Sequence, residues 1–492
     1  MNYISTRNIT GKSDISSAEA IKNGLAPDGG LYMPQQIPEL SLDDIRRLAA
    51  LSYERRASEI LSMFLTDYEK KALEEDCAEA YSGKRFPGGA APVVKISENE
   101  FALELWHGPT CAFKDMALQI MPRLLSRALT ITGEKRRAHI LVATSGDTGK
   151  AALEGYKDVP QIDITVFFPR DGVAEMQKLQ MTTQLGENVC VSSVEGNFDD
   201  AQSGVKRIFS DKELAKKAEE NGFFFSSANS INWGRLAPQI AYYVSAYCDL
   251  LNSGEIELGE KINFCVPTGN FGNIFAGFIA KTMGLPVAKF ICASNSNRVL
   301  TDFIETGTYD RTREFFKTMS PSMDILISSN LERLLWMTSG AETTAACMKQ
   351  LSENGKYTVP SDVLSKIKEV FCGYSCNEEE TAASLKKTFV EKNYLADTHT
   401  SVALGAYDKY VGETSDKTKT VIVSTASPYK FPSDVCASIG KKPETEDPAA
   451  LLSLLENLTG TKAPESLKAV LTLPIRFTGS VVPADMEKVI FN

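Results

Sequence analysis

The sequence is poor in histidine and tryptophan and has no long apolar run, since its 492 residues include only three of each of these residue types. His107, His139 and His399 are too few and too dispersed to predict a histidine metal site. No stretch approaches the ~18 to 20 apolar residues that a membrane-spanning helix needs. The first residues lack the basic segment and apolar run of a signal peptide. We therefore expect a cytoplasmic protein with no membrane partner and no bound metal.

The ten cysteines are scattered along the chain rather than arranged in pairs. Cys372 and Cys376 are the closest pair, but their spacing differs from that of typical metal motifs, and no second pair accompanies them. A chain of this length does not need disulfides to build a core. We expect reduced and mostly buried thiols.

Acidic residues outnumber basic ones, with 63 Asp and Glu against 53 Lys and Arg, for a formal net charge of −10. Because there is also no basic block, this balance argues against nucleic acid as a partner. Hydrophobic residues make up 43% and charged residues 24%, as in ordinary globular proteins. A small anionic ligand stays possible, since a few placed cations are enough to bind it.

The first part of the chain is predicted to form a mainly helical unit. Ser41 to Asp44 is a helix-capping pattern, and Ile45, Leu48 and Leu51 follow it at helical spacing. The segment 81–89 is rich in glycine and proline and marks a boundary. We therefore predict an N-terminal domain over residues 1–95.

From about residue 96, short β-branched runs alternate with helical ones. The pattern predicts strands over 139–143, 162–168, 262–266, 287–292 and 420–424, with helices over 150–156, 274–283 and 377–392. Residues 361–410 read as helical. Buried strands that alternate with helices predict an α/β fold with parallel sheets covered on both faces.

Two loops directly follow predicted strands and open helices, which is where ligands bind in doubly wound folds. The first, 144–149, carries two glycines and three hydroxyls, and is read either as an anion site or as a helix cap at Asp147 or Thr148. The second, 267–273, is read either as a phosphate cradle or as a tight turn. Neither loop has the spacing of a Walker loop or of a dinucleotide-binding loop.

Lys114 lies between Phe113 and an apolar helical run. A surface lysine is the ordinary interpretation. The alternative is a partly desolvated lysine with a lowered pKa, which can form a Schiff base. Spacing alone leaves both interpretations open.

Taken together, these motifs resemble those of the threonine synthase family, pyridoxal-phosphate enzymes, in its longer bacterial and fungal form. The similarity runs nearly end to end. It is carried by the segments 27–32, 113–115, 144–149, 194–200, 229–232, 269–273 and 328–336.

The resemblance implies fold type II of the pyridoxal-phosphate enzymes, with two doubly wound parallel-sheet domains and the helical N-terminal domain. The catalytic region would span residues 96–440, with a small domain inserted at about 115–225, and residues 441–492 would form an extension packed on the large domain. The implied cofactor is pyridoxal 5'-phosphate.

The resemblance also assigns the site residues. Lys114 would be the catalytic, Schiff-base lysine, Asp147 would lie near the phenolic oxygen of the cofactor, and Thr425 would meet its pyridine nitrogen. The cofactor phosphate would be cradled by Gly269, Asn270, Phe271, Gly272 and Asn273. The substrate carboxylate would be held by Thr144, Ser145, Gly146 and Thr148, and the substrate phosphate by Asn229, Ser230 and Arg235.

The chain departs from the family pattern after its last predicted strand. Ser427 stands where the family usually has histidine, and Tyr429 stands where it has alanine. Shorter relatives carry asparagine at the place of Asp147.

The implied reaction converts O-phospho-L-homoserine and water to L-threonine and phosphate. We expect a monomer, with a homodimer as the alternative. Other fold type II lyases, such as threonine dehydratases, lack the N-terminal unit and need no second phosphate site. A pyridoxal-phosphate-binding protein without catalysis is the alternative from a different class.

Overall fold

The structure is a computed structural model, and it describes residues 1–144, 146–171 and 173–491. Two separate and largely parallel sheets dominate it, one of six strands and one of five. Within the described part of the chain, no helix has the length and apolar character needed to cross a membrane.

The N-terminal segment is mainly helical, with one small antiparallel pair of strands. The capping box predicted at Ser41 is present, because its side chain accepts from the backbone N–H of Asp44. The elements are β1 (Tyr3–Ser5), α1 (Ser17–Asn23), β2 (Tyr32–Pro34), α2 (Leu42–Ala49), α3 (Tyr53–Phe64) and α4 (Lys70–Ala80).

The next segment starts the larger sheet and then builds most of the smaller one. Its elements are β3 (Val93–Lys95), β4 (Glu100–Glu104), α5 (Asp115–Leu118), α6 (Met121–Ile131), β5 (Arg137–Ala143), α7 (Asp147–Tyr156), β6 (Ile162–Pro169), α8 (Glu175–Thr182), β7 (Val189–Val194), α9 (Phe198–Ser210), α10 (Lys212–Glu220) and β8 (Phe223–Ser226).

The chain then returns to the larger sheet. The elements are α11 (Trp233–Leu236), α12 (Pro238–Asn252), β9 (Ile262–Pro267), α13 (Gly272–Met283), β10 (Val287–Ser294), α14 (Val299–Thr306), β11 (Thr308–Asp310), α15 (Leu331–Asn354), β12 (Lys356–Thr358), α16 (Ser361–Val370), β13 (Phe371–Ser375), α17 (Glu378–Lys392), α18 (Thr398–Thr414) and β14 (Thr420–Ser424). Gly340 interrupts α15 with non-helical backbone angles, so this element is kinked.

The larger sheet has the order β13-β10-β9-β14-β4-β3, and all neighbours are parallel except the pair β3 and β4. Successive residues of its central strands are buried in different hydrophobic clusters. Val421 and Val423 belong to one cluster, and Ile422 between them belongs to another. Both faces of the sheet are therefore covered, as the non-alternating apolar strands predict.

The smaller sheet is parallel throughout the pairs described, in the order β15-β7-β6-β5-β8, where β15 is Ser480–Val481. Its strands are also buried on both faces, since Ile140 and Leu141 contribute to different clusters. The α/β fold with two parallel sheets and a mainly helical N-terminal unit is thus confirmed. The domain boundaries at 95, 115, 225 and 440 stay predictions.

The C-terminal segment contains α19 (Pro432–Ser438), α20 (Pro448–Thr459), α21 (Glu465–Val470), β15 and α22 (Met486–Phe491). The expectation that residues 441–492 pack on the large domain needs a correction for its last part. There, β15 pairs with β7, and Met486 and Ile490 join the hydrophobic cluster of the smaller sheet. The physical reason is that β7 would otherwise leave an unpaired sheet edge, which β15 covers.

The predicted strands and helices agree with the observed ones to within a few residues. The exception is the segment 361–410, which was predicted as helical throughout. It contains β13, the parallel edge strand that pairs with β10. This strand is short and ends in polar residues. The segments before and after it have the apolar spacing of helices, so the sequence pattern did not reveal the strand between them.

Arg333 connects the N-terminal segment to the region of the predicted site. It is fully buried on α15. Its guanidinium donates to the carbonyl oxygens of Tyr32, Ser230 and Ile231, at 3.2, 3.1 and 2.6 Å, and to the side-chain oxygen of Asn330. One side chain thus fixes three separate segments of the chain.

We expect Arg333→Met to lower the free energy of unfolding by about 2–4 kcal/mol, because it leaves several buried carbonyl oxygens without a donor. Urea denaturation followed by circular dichroism measures the change. The control is Arg55→Met, which removes an exposed ion pair with Glu74 and should change stability by less than about 1 kcal/mol. Equal effects of the two substitutions would contradict this role of Arg333.

Candidate active site

The predicted site residues come together in one cavity of about 360 Å³ between the two sheets. The segments that line it follow the carboxyl ends of parallel strands, namely β4, β5, β8, β9 and β14. The predicted residues that line it are Lys114, Thr144, Asp147, Thr148, Asn229, Ser230, Arg235, Gly269, Asn270, Phe271, Gly272, Asn273 and Thr425. Gly146 caps α7 and is not among the described lining residues. Ser145 lies outside the described residues.

Lys114 stands directly before α5, and its side chain is only 11% exposed. Its Nζ donates to Ser322 Oγ at 3.1 Å and lies 3.8 Å from Asp147 Oδ2. The ammonium group also lies 5.2 Å from the centre of the Phe113 ring. Burial lowers the pKa of Lys114 to about 8, although the negative charge of Asp147 acts in the opposite direction. The buried interpretation of Lys114 is therefore confirmed over the surface one.

Asp147 is the first residue of α7 and balances two buried amines. Its Oδ1 lies 2.7 Å from the Nζ of Lys430 and accepts a hydrogen bond from Gln177 at 2.9 Å, while its Oδ2 faces Lys114. Burial acts to raise the pKa of this carboxyl group, but the charges of Lys430 and Lys114 hold it well below its ordinary value. Asp147 is therefore ionised at neutral pH.

A second group of side chains supports Lys114 from the opposite direction. The backbone N–H of Ser322 donates to His399 Nε2 at 3.1 Å, and His399 Nδ1 lies 2.7 Å from Asp397 Oδ2. Because Nε2 accepts a hydrogen bond, the ring proton is assigned to Nδ1, which donates to Asp397. The buried pair of Asp397 and His399 thus holds the segment that presents the Ser322 hydroxyl to Lys114.

The loop after β9 has the geometry of an anion cradle. Phe271 adopts a left-handed conformation with φ 63°, which turns the chain sharply into α13. A Cβ at Gly269 would lie 2.8 Å from the carbonyl oxygen of Ser322, so only glycine fits there. Asn273 accepts from two tyrosine hydroxyls through its Oδ1, and its buried Nδ2 has no hydrogen-bond partner within the described chain. Free donors at a helix N-terminus fit a phosphate group.

Arg235 lies on α11 and is 4% exposed. One of its terminal nitrogens donates to the carbonyl oxygen of Ala228 at 3.0 Å, and its buried Nε has no partner among the described residues. Burial lowers the pKa of Arg235 to about 10, so the group stays charged at neutral pH. Ser230 lines the same cavity, and its side chain also lies beside Gly272 of the loop after β9.

Thr425 follows β14 and connects this strand to Lys114. Its carbonyl oxygen accepts from the backbone N–H of Phe113 at 2.7 Å, so it fixes the residue that precedes the lysine. Ser427, the departure from the family pattern, is fully buried and accepts from the backbone N–H of Tyr429. It is not among the described lining residues of the cavity.

Several lining or contacting residues escaped the sequence analysis. Ser322 and His399 lie in segments without a recognisable motif, and Lys430 was not assigned a role. Lys206 lines the cavity from α9, on the smaller sheet. The burial of Lys430 was predictable, since a lysine between two aromatic residues just after a buried strand is poorly placed to reach solvent.

Two parallel sheets that enclose a buried lysine, an ionised carboxylate and a phosphate cradle define the class of pyridoxal-phosphate-dependent enzymes. In agreement, the family model "Pyridoxal-phosphate dependent enzyme" matches residues 88–426. The models "Threonine synthase N terminus" and "Threonine synthase, C-terminal" match residues 2–81 and 400–490. The chain belongs to the threonine synthase family.

Individual relatives support this assignment. The chain is 37% identical over 463 residues to threonine synthase of Pseudomonas aeruginosa, covering 93% of this chain and 94% of that protein. The crystal structure of PLP-bound threonine synthase from Brucella melitensis superposes with a TM-score of 0.86 at 36% identity, over 100% of this chain and 98% of that one.

A longer relative is similar as well. "Threonine synthase-like 1" of Macaca fascicularis is 40% identical over 472 residues, which cover 92% of this chain. The chain spans 63% of the length of that protein.

The lowered pKa of Lys114 gives a testable pH dependence. Only the neutral amine attacks an aldehyde, so its concentration rises with pH through the pKa of the group. We expect the rate at which full-length protein, freed of cofactor, takes up pyridoxal phosphate to rise with a midpoint near pH 8, because burial lowers the pKa of Lys114 to about 8. Stopped-flow visible absorbance measures this rate, and a midpoint at the pH of an ordinary exposed lysine would contradict the assignment.

Proposed function

We propose that this protein converts O-phospho-L-homoserine and water to L-threonine and phosphate. The observation that carries the proposal is a buried arginine without a carboxylate partner beside a buried amine. Arg235 lines the same cavity as Lys114, and it contacts no carboxylate within the described chain. Lys206, which is exposed and donates to Gln202, adds a second positive charge at the edge of this cavity. A buried guanidinium with a free donor favours a doubly charged anionic ligand, in addition to the phosphate proposed for the loop before α13.

The amine of Lys114 is the group that moves protons. Its pKa of about 8 leaves both protonation states available near neutral pH, which suits a general base that later acts as an acid. Bound pyridoxal phosphate supplies an electron sink for negative charge at the carbons next to the amino group of the substrate. Lys114 lies between the carboxylate of Asp147 and the hydroxyl of Ser322. These two groups stabilise the protonated amine until Nζ gives its proton to the substrate.

The substrate is oriented by its two anionic ends. The loop 144–148 is proposed to hold the carboxylate, and Asn229, Ser230 and Arg235 are proposed to hold the phosphate. A proton leaves Cα and a second leaves Cβ before the Cγ–O bond breaks and the phosphate departs with the bonding electrons. Cγ then gains a proton and becomes a methyl group, and the oxygen of water bonds to Cβ. Cα regains its proton, and the proton that water gives up ends on the released phosphate. Since the cavity lies between two sheets, their approach would exclude water until the phosphate has left.

The activity is tested by supplying O-phospho-L-homoserine and assaying threonine and phosphate together. We expect equal amounts of the two products. Phosphate without threonine would contradict the proposal, because it indicates a lyase that does not complete the addition of water. Absence of both products would favour a pyridoxal-phosphate-binding protein without catalysis.

Lys114→Ala should abolish both the visible absorbance of the lysine-bound cofactor and the release of phosphate, with a loss of activity of at least about 1000-fold, since one group carries every proton transfer. The matched control is Lys206→Ala, which removes another lysine of the cavity wall and should leave the visible spectrum unchanged. A spectrum that survives in Lys114→Ala would refute the assignment of this lysine.

Arg235→Met should raise the KM for O-phospho-L-homoserine on the order of 100-fold, because hydrogen bonds to charged groups contribute ~1.5–3 kcal/mol each. Methionine keeps most of the buried volume, so the fold should persist. Fluorescence titration with pyridoxal phosphate provides the second measurement. Equal losses of substrate and cofactor affinity would show that Arg235 has a structural role instead.

A further inference from the structure

Lys430 is a fully buried lysine that the proposed mechanism does not use. It follows β14 at the end of a short 3₁₀ helix, Pro428–Lys430, and its side chain has 0% exposure. Its Nζ lies 2.7 Å from Asp147 Oδ1 and donates to the carbonyl oxygen of Thr110 at 2.9 Å and to Gln180 Oε1 at 3.2 Å. Burial of an ammonium group costs several kcal/mol unless it is paired in this way.

The contacts of Lys430 join the two sheets. Lys430 and Thr110 follow β14 and β4 of the larger sheet, whereas Asp147 and Gln180 belong to α7 and α8 beside the smaller one. Asp147 is therefore held from the side of the larger sheet by one ammonium group and faces a second one, that of Lys114.

We propose that Lys430 is a positioning residue that keeps Asp147 charged and turned toward Lys114, and thereby sets the pH at which the amine of Lys114 becomes reactive. Lys430 would act through Asp147 and would not touch the substrate. The resemblance to the family assigns no role to this position, and the inference rests on the proposed role of Lys114.

The argument depends on the charge that remains when Lys114 loses its proton. With Lys430 present, Asp147 keeps a partner, and the pair carries no net charge. Without Lys430, loss of the proton leaves one buried carboxylate unpaired, which is unfavourable. Removal of Lys430 therefore favours the protonated form of Lys114 and raises the pKa of this amine.

The other charged groups near the two amines do not replace this function. Asp115 is buried, and its carboxylate already accepts from the backbone N–H and the hydroxyl of Thr110. Lys114 and Asp147 shift each other's pKa. The other charged and titratable groups that shift one or both of these pKa values are Asp115, Arg235, His399 and Lys430.

The test is the pH dependence of pyridoxal phosphate uptake by full-length protein freed of cofactor. We expect Lys430→Met to move the midpoint upward by about one pH unit, which slows uptake about tenfold at neutral pH. Lys430→Arg keeps the charge and should keep the midpoint within a few tenths of a unit. Folded Lys430→Met protein with the midpoint of the wild type would overturn the proposal.

The matched control is Lys392→Met. Lys392 forms a similar, largely buried pair with Glu100, at 2.6 Å, but is not among the groups that act on Lys114. The Lys392→Met variant should be less stable than the wild type, but the midpoint of its pH-dependent cofactor uptake should be unchanged. An equal shift in this variant would overturn the proposal, since the effect would then be one of general destabilisation.

If Lys430→Met does not fold, the same question is answered by comparing the double substitution Asp147→Asn and Lys430→Met with Asp147→Asn alone. If Lys430 acts through Asp147, its removal should move the midpoint by no more than a few tenths of a unit where this carboxylate is absent. A shift of about one pH unit between these two variants would overturn the proposal. Failure of the role of Lys114 itself is recognised separately, because wild-type and Lys114→Ala proteins would then take up the cofactor equally.

Discussion

The buried carboxylate of Asp147 is the contact on which the rest of the site depends. Two ammonium groups face it, Lys430 at 2.7 Å and Lys114 at 3.8 Å, and burial would make each of the three charges unfavourable alone. Together they carry one net positive charge, which suits a cavity that accepts anions. The arrangement also explains why the pKa of Lys114 is lowered only to about 8, so that much of the amine stays protonated near neutral pH. Burial favours its neutral form, and Asp147 limits that effect.

The parallel sheets bring these groups together from distant parts of the chain. In a parallel sheet the carboxyl ends of the strands lie on one edge, so residues after β4, β9 and β14 become neighbours although more than 150 residues separate the first strand from the second. The smaller sheet presents its own carboxyl edge to the same cavity through the loop after β5. The polar and charged residues of the cavity therefore lie where two such edges meet, and the buried strands hold the loops that carry them.

Much of this arrangement is predictable from the sequence, and the limits are physical. Loops such as 144–148 and 269–273 are recognisable because glycines and small polar residues directly follow apolar strands. Ser322 is not recognisable in this way, since it lies in an irregular segment whose path is fixed by tertiary contacts with His399 and Gly269. The partner of a buried charge, such as Lys430 for Asp147, is set by the packing of the two sheets. β15 was missed because two residues carry no detectable period.

The pairing of β15 with β7 has a consequence for movement. The chain enters the smaller sheet between β4 and β5, leaves it between β8 and β9, and returns to it a second time after α21. A body attached at two points is able to pivot freely about the line that joins them, whereas a third attachment away from that line removes most of this freedom. Any approach of the two sheets that closes the cavity therefore has to carry β15 along with β7, and the segment between α21 and β15 has to follow this movement.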